Sequence, residues 1–254
     1  ASSGTAALAN CTLSGNSANG GILRLADGSA LVTNCTFVGN TGVNGDIRTD
    51  RDTNPTLTLN NSIVPVVAAL SGSSISGSNN VIQTLFQEGS GSLANTFTAN
   101  PQLAALADNG GLTLTHALLP GSPAIDAGSN ALALDASSSP LTTDQRGTGF
   151  PRVVKGYASA ASAIVDIGAF EVATIPIDFG DAPDLTGGPT TGNPYPTLLE
   201  HNGARHVLAG AFLGASVEDD DNEQPSPTAS GDDRDGNDDE DGVVFTSALV
   251  TGST

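Results

Sequence analysis

The densest chemistry in the chain is carboxylate. Glu218, Asp219, Asp220, Asp221 and Glu223, then Asp232, Asp233, Asp235, Asp238, Asp239, Glu240 and Asp241, place twelve acidic side chains within 24 residues. Like charges at this density repel, so such loops stay solvated unless a counter-ion orders them. A hard cation that takes roughly six to eight oxygen ligands can do so, and calcium fits that chemistry best. In Asp235-Gly236-Asn237-Asp238-Asp239-Glu240-Asp241, oxygen ligands recur at alternate positions. This makes Asp235, Asn237, Asp239 and Asp241 the first candidate ligands, with Asp232, Asp233, Glu218 and Asp219 beside them. The loop is not an EF-hand, because the twelfth position counted from Asp235 is Thr246 rather than Glu.

Other constellations are weaker. Asp46, Arg48, Asp50, Arg51 and Asp52 supply the carboxylates and guanidiniums that an acidic-sugar site would need. Asn and Gly before them and Asn54-Pro55 after them make the segment read as the turn of a repeat. His116, Ser122 and Asp126 are triad residue types, but Ser122 lacks a nucleophile elbow. His201 and His206 have no Cys or further His near them, so surface or capping roles fit better than a transition-metal site. Cys11 and Cys35 match no zinc spacing and cannot make a disulfide framework. They could bridge if stacked on neighbouring strands, but an inward pair of free thiols is the preferred reading.

The elements that must hold these groups follow from composition. The chain has 254 residues, of which 31 are Gly and 14 Pro, with eight Phe, two Tyr and neither Trp nor Met. Its core must therefore be built from Ala, Val, Leu and Ile. Charged residues make up 14%, too few for salt-bridged helices, so a turn-rich all-β protein is expected. A net charge of −19 excludes a nucleic-acid backbone reader and docking on an anionic membrane. No apolar run reaches transmembrane length. The absence of Met and of a signal-peptide pattern reads as a processed chain or an excised segment.

Internal repetition sets the architecture. Asn10-Cys11-Thr12-Leu13-Ser14-Gly15-Asn16-Ser17 recurs 24 residues on as Asn34-Cys35-Thr36-Phe37-Val38-Gly39-Asn40-Thr41. Asn60-Asn61-Ser62-Ile63-Val64 follows after 26, and Asn79-Asn80-Val81-Ile82 after a further 19. A unit this short cannot bury its own core, whereas stacked units can share one. Alternation predicts Cys11 with Leu13, Cys35 with Phe37 and Asn61 with Ile63 on the inward side. Asn16 and Asn40 are expected to form a ladder at left-handed corners. The sequons at Asn10, Asn34 and Asn60 read as repeat-imposed polarity rather than glycosylation sites.

Beyond residue 100 the pattern changes. Asn109-Gly110-Gly111-Leu112-Thr113-Leu114-Thr115-His116-Ala117-Leu118-Leu119-Pro120-Gly121-Ser122-Pro123-Ala124-Ile125-Asp126-Ala127-Gly128 precedes Asp144-Gln145-Arg146-Gly147, Pro151-Arg152 and Val165-Asp166-Ile167-Gly168-Ala169-Phe170-Glu171. Over residues 1–172 the chain resembles the choice-of-anchor Q family of bacterial surface proteins. That resemblance implies a right-handed parallel β-helix with a C-terminal cap; Thr148-Gly149 lengthens the family's Arg-Gly-Phe-x-Arg spacing. Asp178-Phe179-Gly180-Asp181-Ala182-Pro183-Asp184, Asn202-Gly203-Ala204-Arg205-His206 and Asp238-Asp239-Glu240-Asp241-Gly242-Val243 resemble a GEVED-type domain. By that resemblance Asp178, Asp181 and Asp184 supply further calcium ligands.

The expected protein is therefore all-β: a right-handed parallel β-helix over 1–172, a linker over 173–177 and a small, acidic, β-sandwich-like calcium module over 178–254. Its expected role is extracellular, as a structural or adhesive subunit at a bacterial surface. Self-association is expected through the ends of the solenoid or the apolar strand at 243–251, with a surface glycan as a further candidate ligand. The alternative is a β-helix lyase or hydrolase acting on acidic polysaccharide. At the cap, Arg146 or Arg152 is expected to pair with Asp126 or Asp166, since a carboxylate near a core needs a charge-assisted partner.

Overall fold

The computed structural model describes residues 4–156, 162–173, 177–179 and 205–207. The chain divides into two compact units, Ala1–Gly156 with Ser162–Thr174, and Tyr157–Ala161 with Ile175–Thr254. Among the described residues no helix is long and apolar enough to cross a membrane.

The first unit is all-β and its strands run parallel. Its first repeat holds β1 (Thr5–Ala9), β2 (Thr12–Ser14), β3 (Ser17–Ala18) and β4 (Leu23–Leu25). The second repeats the order with β5 (Ser29–Thr33), β6 (Thr36–Val38), β7 (Thr41–Gly42) and β8 (Ile47–Thr49). β9 (Thr56–Asn60) and β10 (Val66–Ala69) form the third repeat, and β11 (Ser74–Val81) and β12 (Thr84–Gln87) the fourth. The short strands β13 (Ser90–Gly91) and β14 (Ala94–Phe97) lie against β11. One sheet runs β1-β5-β9-β11-β13 and a second β12-β10-β8-β4, so each repeat lies on the one before it. The space between the sheets is filled by Val32, Phe37, Ile47, Leu57, Leu59, Val64, Val67, Ile75 and Ile82. Small aliphatic side chains suffice because each repeat needs its neighbours to close the core.

The turn after the first sheet is set by asparagine. Asn10, Asn34, Asn61, Asn79 and Asn95 all adopt positive φ, between 44° and 57°. Each directly follows one of the register-matched residues Ala9, Thr33, Asn60, Ser78 and Ala94. Asn tolerates the left-handed region because its short amide can bond locally. One residue later, the side chain bridges back across the bend. Cys11 donates to Ala9 O, Cys35 to Thr33 O, Ser62 to Asn60 O and Thr96 to Ala94 O, at 3.1, 3.3, 2.8 and 3.3 Å.

This column corrects the expected register of the third repeat. Thr33 pairs with Asn60 and Thr36 with Ile63, a shift of 27 rather than 26, and the next shift is 18 rather than 19. One residue of slip moves a side chain to the opposite face. Val64, not Ile63, therefore follows Phe37 in the core, while Ile63 faces outward and is buried by Gly168. Leu13 and Phe37 pair as expected, and Cys11 and Cys35 lie against the core as free thiols. The Asn16–Asn40 ladder exists, with Asn40 Oδ1 accepting Asn16 N–H at 2.9 Å. The left-handed corner there, however, belongs to Gly15 and Gly39, not to the asparagines.

In the second unit, Ile177–Phe179 pairs antiparallel with Arg205–Val207, and Asp178 stands opposite His206. The left-handed column makes a direct prediction. Asn61→Ala and Asn61→Gly both lose the side chain, but Ala at positive φ costs a further ~1–2 kcal/mol. Urea unfolding should rank Gly above Ala at position 61 and should not do so at position 16.

Candidate functional site

Residues 98–156 and 162–172 form a strap with little regular structure, and the asparagine column is what it is fastened to. Asn10 Nδ2 donates to Thr143 O at 2.7 Å, Asn34 Nδ2 to Asp166 O at 3.1 Å and Asn79 Nδ2 to Ala127 O at 3.0 Å. Asn61 holds Ser129 from both sides: its Nδ2 donates to Ser129 O at 3.0 Å and its Oδ1 accepts Ser129 N–H at 2.9 Å. Gly168 N–H donates to Asn61 O at 2.8 Å, and Ala169 N–H to Thr36 Oγ1 at 2.9 Å. Thr12 donates to Gln145 Oε1 at 2.5 Å. The left-handed turn aims these amides outward, where they match the free backbone groups of an irregular strap. Gly168 (φ 110°) is required for the approach, because a Cβ there would lie 2.8 Å from Thr36 Oγ1 and 2.9 Å from Ile63 Cδ1.

Within the strap lies a buried charge cluster. Arg152 is 0% exposed and Glu171 1%. Arg152 Nη2 donates to Glu171 Oε2 at 2.8 Å and to Asp166 O at 3.1 Å. Glu171 also accepts Asp166 N–H at 2.9 Å and Val154 N–H at 3.0 Å. Arg146 forks onto Asp144 Oδ2, with Nε at 2.9 Å and Nη2 at 2.7 Å. Its guanidinium is sandwiched between Phe150 and Phe170, 4.0 and 3.8 Å from the ring centroids. Asp166 accepts Asp126 N–H at 2.8 Å and Val172 N–H at 2.7 Å. The guanidinium partners are therefore Asp144 and Glu171, not the expected Asp126 and Asp166. Asp126 and Asp166 instead receive backbone N–H groups, Asp126 from Gly156 at 3.0 Å. A carboxylate can order a loop through its main chain as well as through a cation, and sequence does not distinguish the two.

The cluster is unbalanced. Three buried carboxylates, Asp144, Asp166 and Glu171, face two guanidiniums. Burial pushes Asp166 up to about 7, against the pull of the Val172 and Asp126 N–H groups and of Arg152. Burial and the neighbouring Asp166 charge push Glu171 up to about 8, again against Arg152. Both carboxyls are shifted in the direction that favours the protonated form.

The structure also separates the other candidate groups. His116 Nδ1 meets Ala104 O at 2.8 Å and its Nε2 meets Ser14 Oγ at 2.9 Å, so it joins the strap to the first repeat. Ser122 Oγ donates to Pro101 O at 2.5 Å, and no His116–Ser122–Asp126 relay is assembled. In the 46–52 segment, Asp46 accepts Asn40 Nδ2 and Val66 N–H, both at 3.0 Å, and burial raises its pKa. Asp50 takes Arg24 on both oxygens, at 2.9 and 2.5 Å, which lowers its pKa. Arg51 reaches Glu88 at 2.9 Å. Asp46–Val66 and Arg24–Asp50 join neighbouring repeats, Asn40–Asp46 lies within one, and Arg51–Glu88 reaches from the loop after β8 to the loop after β12. Among the described residues no three His, Cys, Asp or Glu side chains are grouped to hold a metal. The candidate ligands Asp181, Asp184, Glu218, Asp219, Asp232, Asp233, Asp235, Asn237, Asp239 and Asp241, and His201, lie outside the described residues; Asp178 lies on the first strand of the second unit.

Comparison with protein-family models, curated proteins and solved structures found no match for the chain.

Two outcomes follow from the cluster. Arg152→Met leaves Glu171 and Asp166 buried without their cation, and denaturant unfolding should show a loss of about 3–5 kcal/mol. The pH dependence has a definite sign. Carboxyls whose folded pKa is raised keep protons that the unfolded chain has lost, so folding is favoured below the ordinary carboxyl range and weakens as pH rises toward 8. Melting temperature measured from pH 4 to 8 should fall, and Asp166→Asn should flatten the slope.

Proposed function

We propose that the stacked repeats form a right-handed parallel β-helix, and that the protein is a structural or adhesive subunit at a bacterial surface. The observation that carries this reading is where the reactive side chains go. His116, Ser122, Asp126, Asp144, Arg146, Arg152, Asp166 and Glu171 are all bonded within the strap and stack, to backbone or to each other. Such commitments lock a shape and leave little to act on a substrate. The resemblances to the choice-of-anchor Q and GEVED-type families point the same way.

The acidic second unit is read as the calcium-dependent part. Residues 177–254 carry 16 acidic and two basic side chains, a net of −14, whereas residues 1–176 carry 11 and six, a net of −5. Monovalent salt only screens such repulsion, while a cation that binds several oxygens fixes loop geometry. Copies are expected to associate through the ends of the stack, since an uncovered sheet edge offers its backbone groups to a second chain.

The test is melting and limited proteolysis with calcium and with chelator, together with electron microscopy of the calcium-loaded chain. Chelation should lower the melting temperature of the second unit and open cleavage beyond residue 177, while the stack stays folded. Filaments or ordered arrays should form with calcium. Identical melting and protease resistance in both conditions would remove calcium from the account, and a strictly monomeric chain at high concentration would remove self-assembly.

A further inference from the structure

The stack contains one pair of nucleophiles that none of the preceding roles uses. Cys11 and Cys35 occupy equivalent places in the first two repeats, each one residue after a left-handed asparagine. Thr36 N–H donates to Cys11 O at 2.9 Å, and Asn10 N–H donates to Thr33 O at 3.2 Å, which fixes the two segments side by side. Neighbouring strands lie ~4.8 Å apart, within the Cα separation of about 4.4–6.8 Å that a disulfide spans. Both side chains pack against the same core cluster, and each thiol donates to the carbonyl two residues before it, Cys11 to Ala9 O and Cys35 to Thr33 O. The equivalent place in the third repeat is Ser62 and in the fourth Asn80, so the column holds a single thiol pair. Cys35 is buried and Cys11 only partly so, which leaves Cys11 as the sulfur an external reagent meets first.

We propose that Cys11 and Cys35 are a dithiol that closes to a disulfide between the first two repeats by exchange with a small-molecule disulfide. The Cys11 thiolate attacks one sulfur of that reagent, forming a mixed disulfide and expelling a thiolate that takes up a proton. Cys35 then gives up its proton and attacks Cys11 Sγ. The bond to the small molecule breaks and a second thiol leaves. The two cysteines together lose two electrons and two protons, and the small disulfide becomes two thiols. Reactivity is arranged in the required order. The neighbouring Cys35 thiol draws the Cys11 thiol down to about 6, despite partial burial. The same contact, with burial, holds Cys35 well above the usual thiol value. A nucleophile that is ionised at neutral pH therefore sits beside a resolving thiol that ionises only once the mixed disulfide has formed.

The consequence is a covalent cross-link between the first two repeats. It closes a loop of about 24 residues, enough to raise the melting temperature of the stack by roughly 5 °C or more.

The test uses the full chain in oxidised and reduced glutathione at neutral pH, followed by acid quench and cleavage after Arg24 and Arg48. The expected result is a mass lower by two hydrogens and a peptide pair held together through Cys11 and Cys35 that separates on reduction. Cys35→Ser should stop at a glutathione adduct on Cys11, while Cys11→Ser should leave Cys35 unmodified. Wild-type chain that keeps both thiols free in the oxidising buffer, or that accumulates the Cys11 adduct without closing, overturns the proposal.

Discussion

Everything in the first unit depends on one backbone conformation repeated five times. A left-handed residue costs most side chains about 1–2 kcal/mol, and Asn10, Asn34, Asn61, Asn79 and Asn95 are the residue type that accepts it while keeping a polar side chain. Glycine would make the same turn but could not hold the strap. Because the bend turns the amide out of the stack, four of the residues that redirect the chain, Asn10, Asn34, Asn61 and Asn79, also donate to the strap at Thr143, Asp166, Ser129 and Ala127. Turn and docking surface are one column, so the periodicity of the repeats is imposed on a strap that has no periodicity of its own.

The strap adds a second constraint, which is charge. Its buried apolar side chains are Leu118, Ala124, Ile125, Ala133, Val165, Ile167, Ala169, Phe170 and Val172. The guanidiniums of Arg146 and Arg152 connect segments far apart in sequence, and the carboxylates gather backbone N–H groups from four different stretches. Buried ion pairs contribute little net stability against an apolar alternative, but removing one partner is costly. The cluster therefore specifies a single path for the strap more than it strengthens it, and its excess carboxylate makes that path sensitive to pH.

Much of this was legible from sequence. The 24-residue echo of Asn-Cys-Thr placed Leu13 opposite Phe37 and put both cysteines on the inner side, because identical residues in identical register need no correction. The third repeat was harder to read. Asn60 and Asn61 are adjacent, and the echo of the repeated motif aligned Asn60 with Asn34. Only the backbone identifies Asn61, and with that one step Ile63 leaves the core and Val64 enters it. Asn16 and Asn40 attracted the left-handed assignment because asparagine suits it, but the glycines before them take it more cheaply. The cap's charged residues were identifiable by their apolar surroundings. Their partners were not, since pairing depends on a strap path that local pattern does not encode.

The account's central claim is that strap and repeats are one cooperative structure fastened along the asparagine column. Native-state hydrogen exchange on the full chain tests it directly. The amides of Ser129, Gly168 and Ala169, which donate to Asn61 and Thr36, should open with the same free energy as those of Phe37 and Val64 inside the repeats. Strap amides that exchange through a separate, much lower-energy opening, while Phe37 and Val64 stay protected, would contradict it.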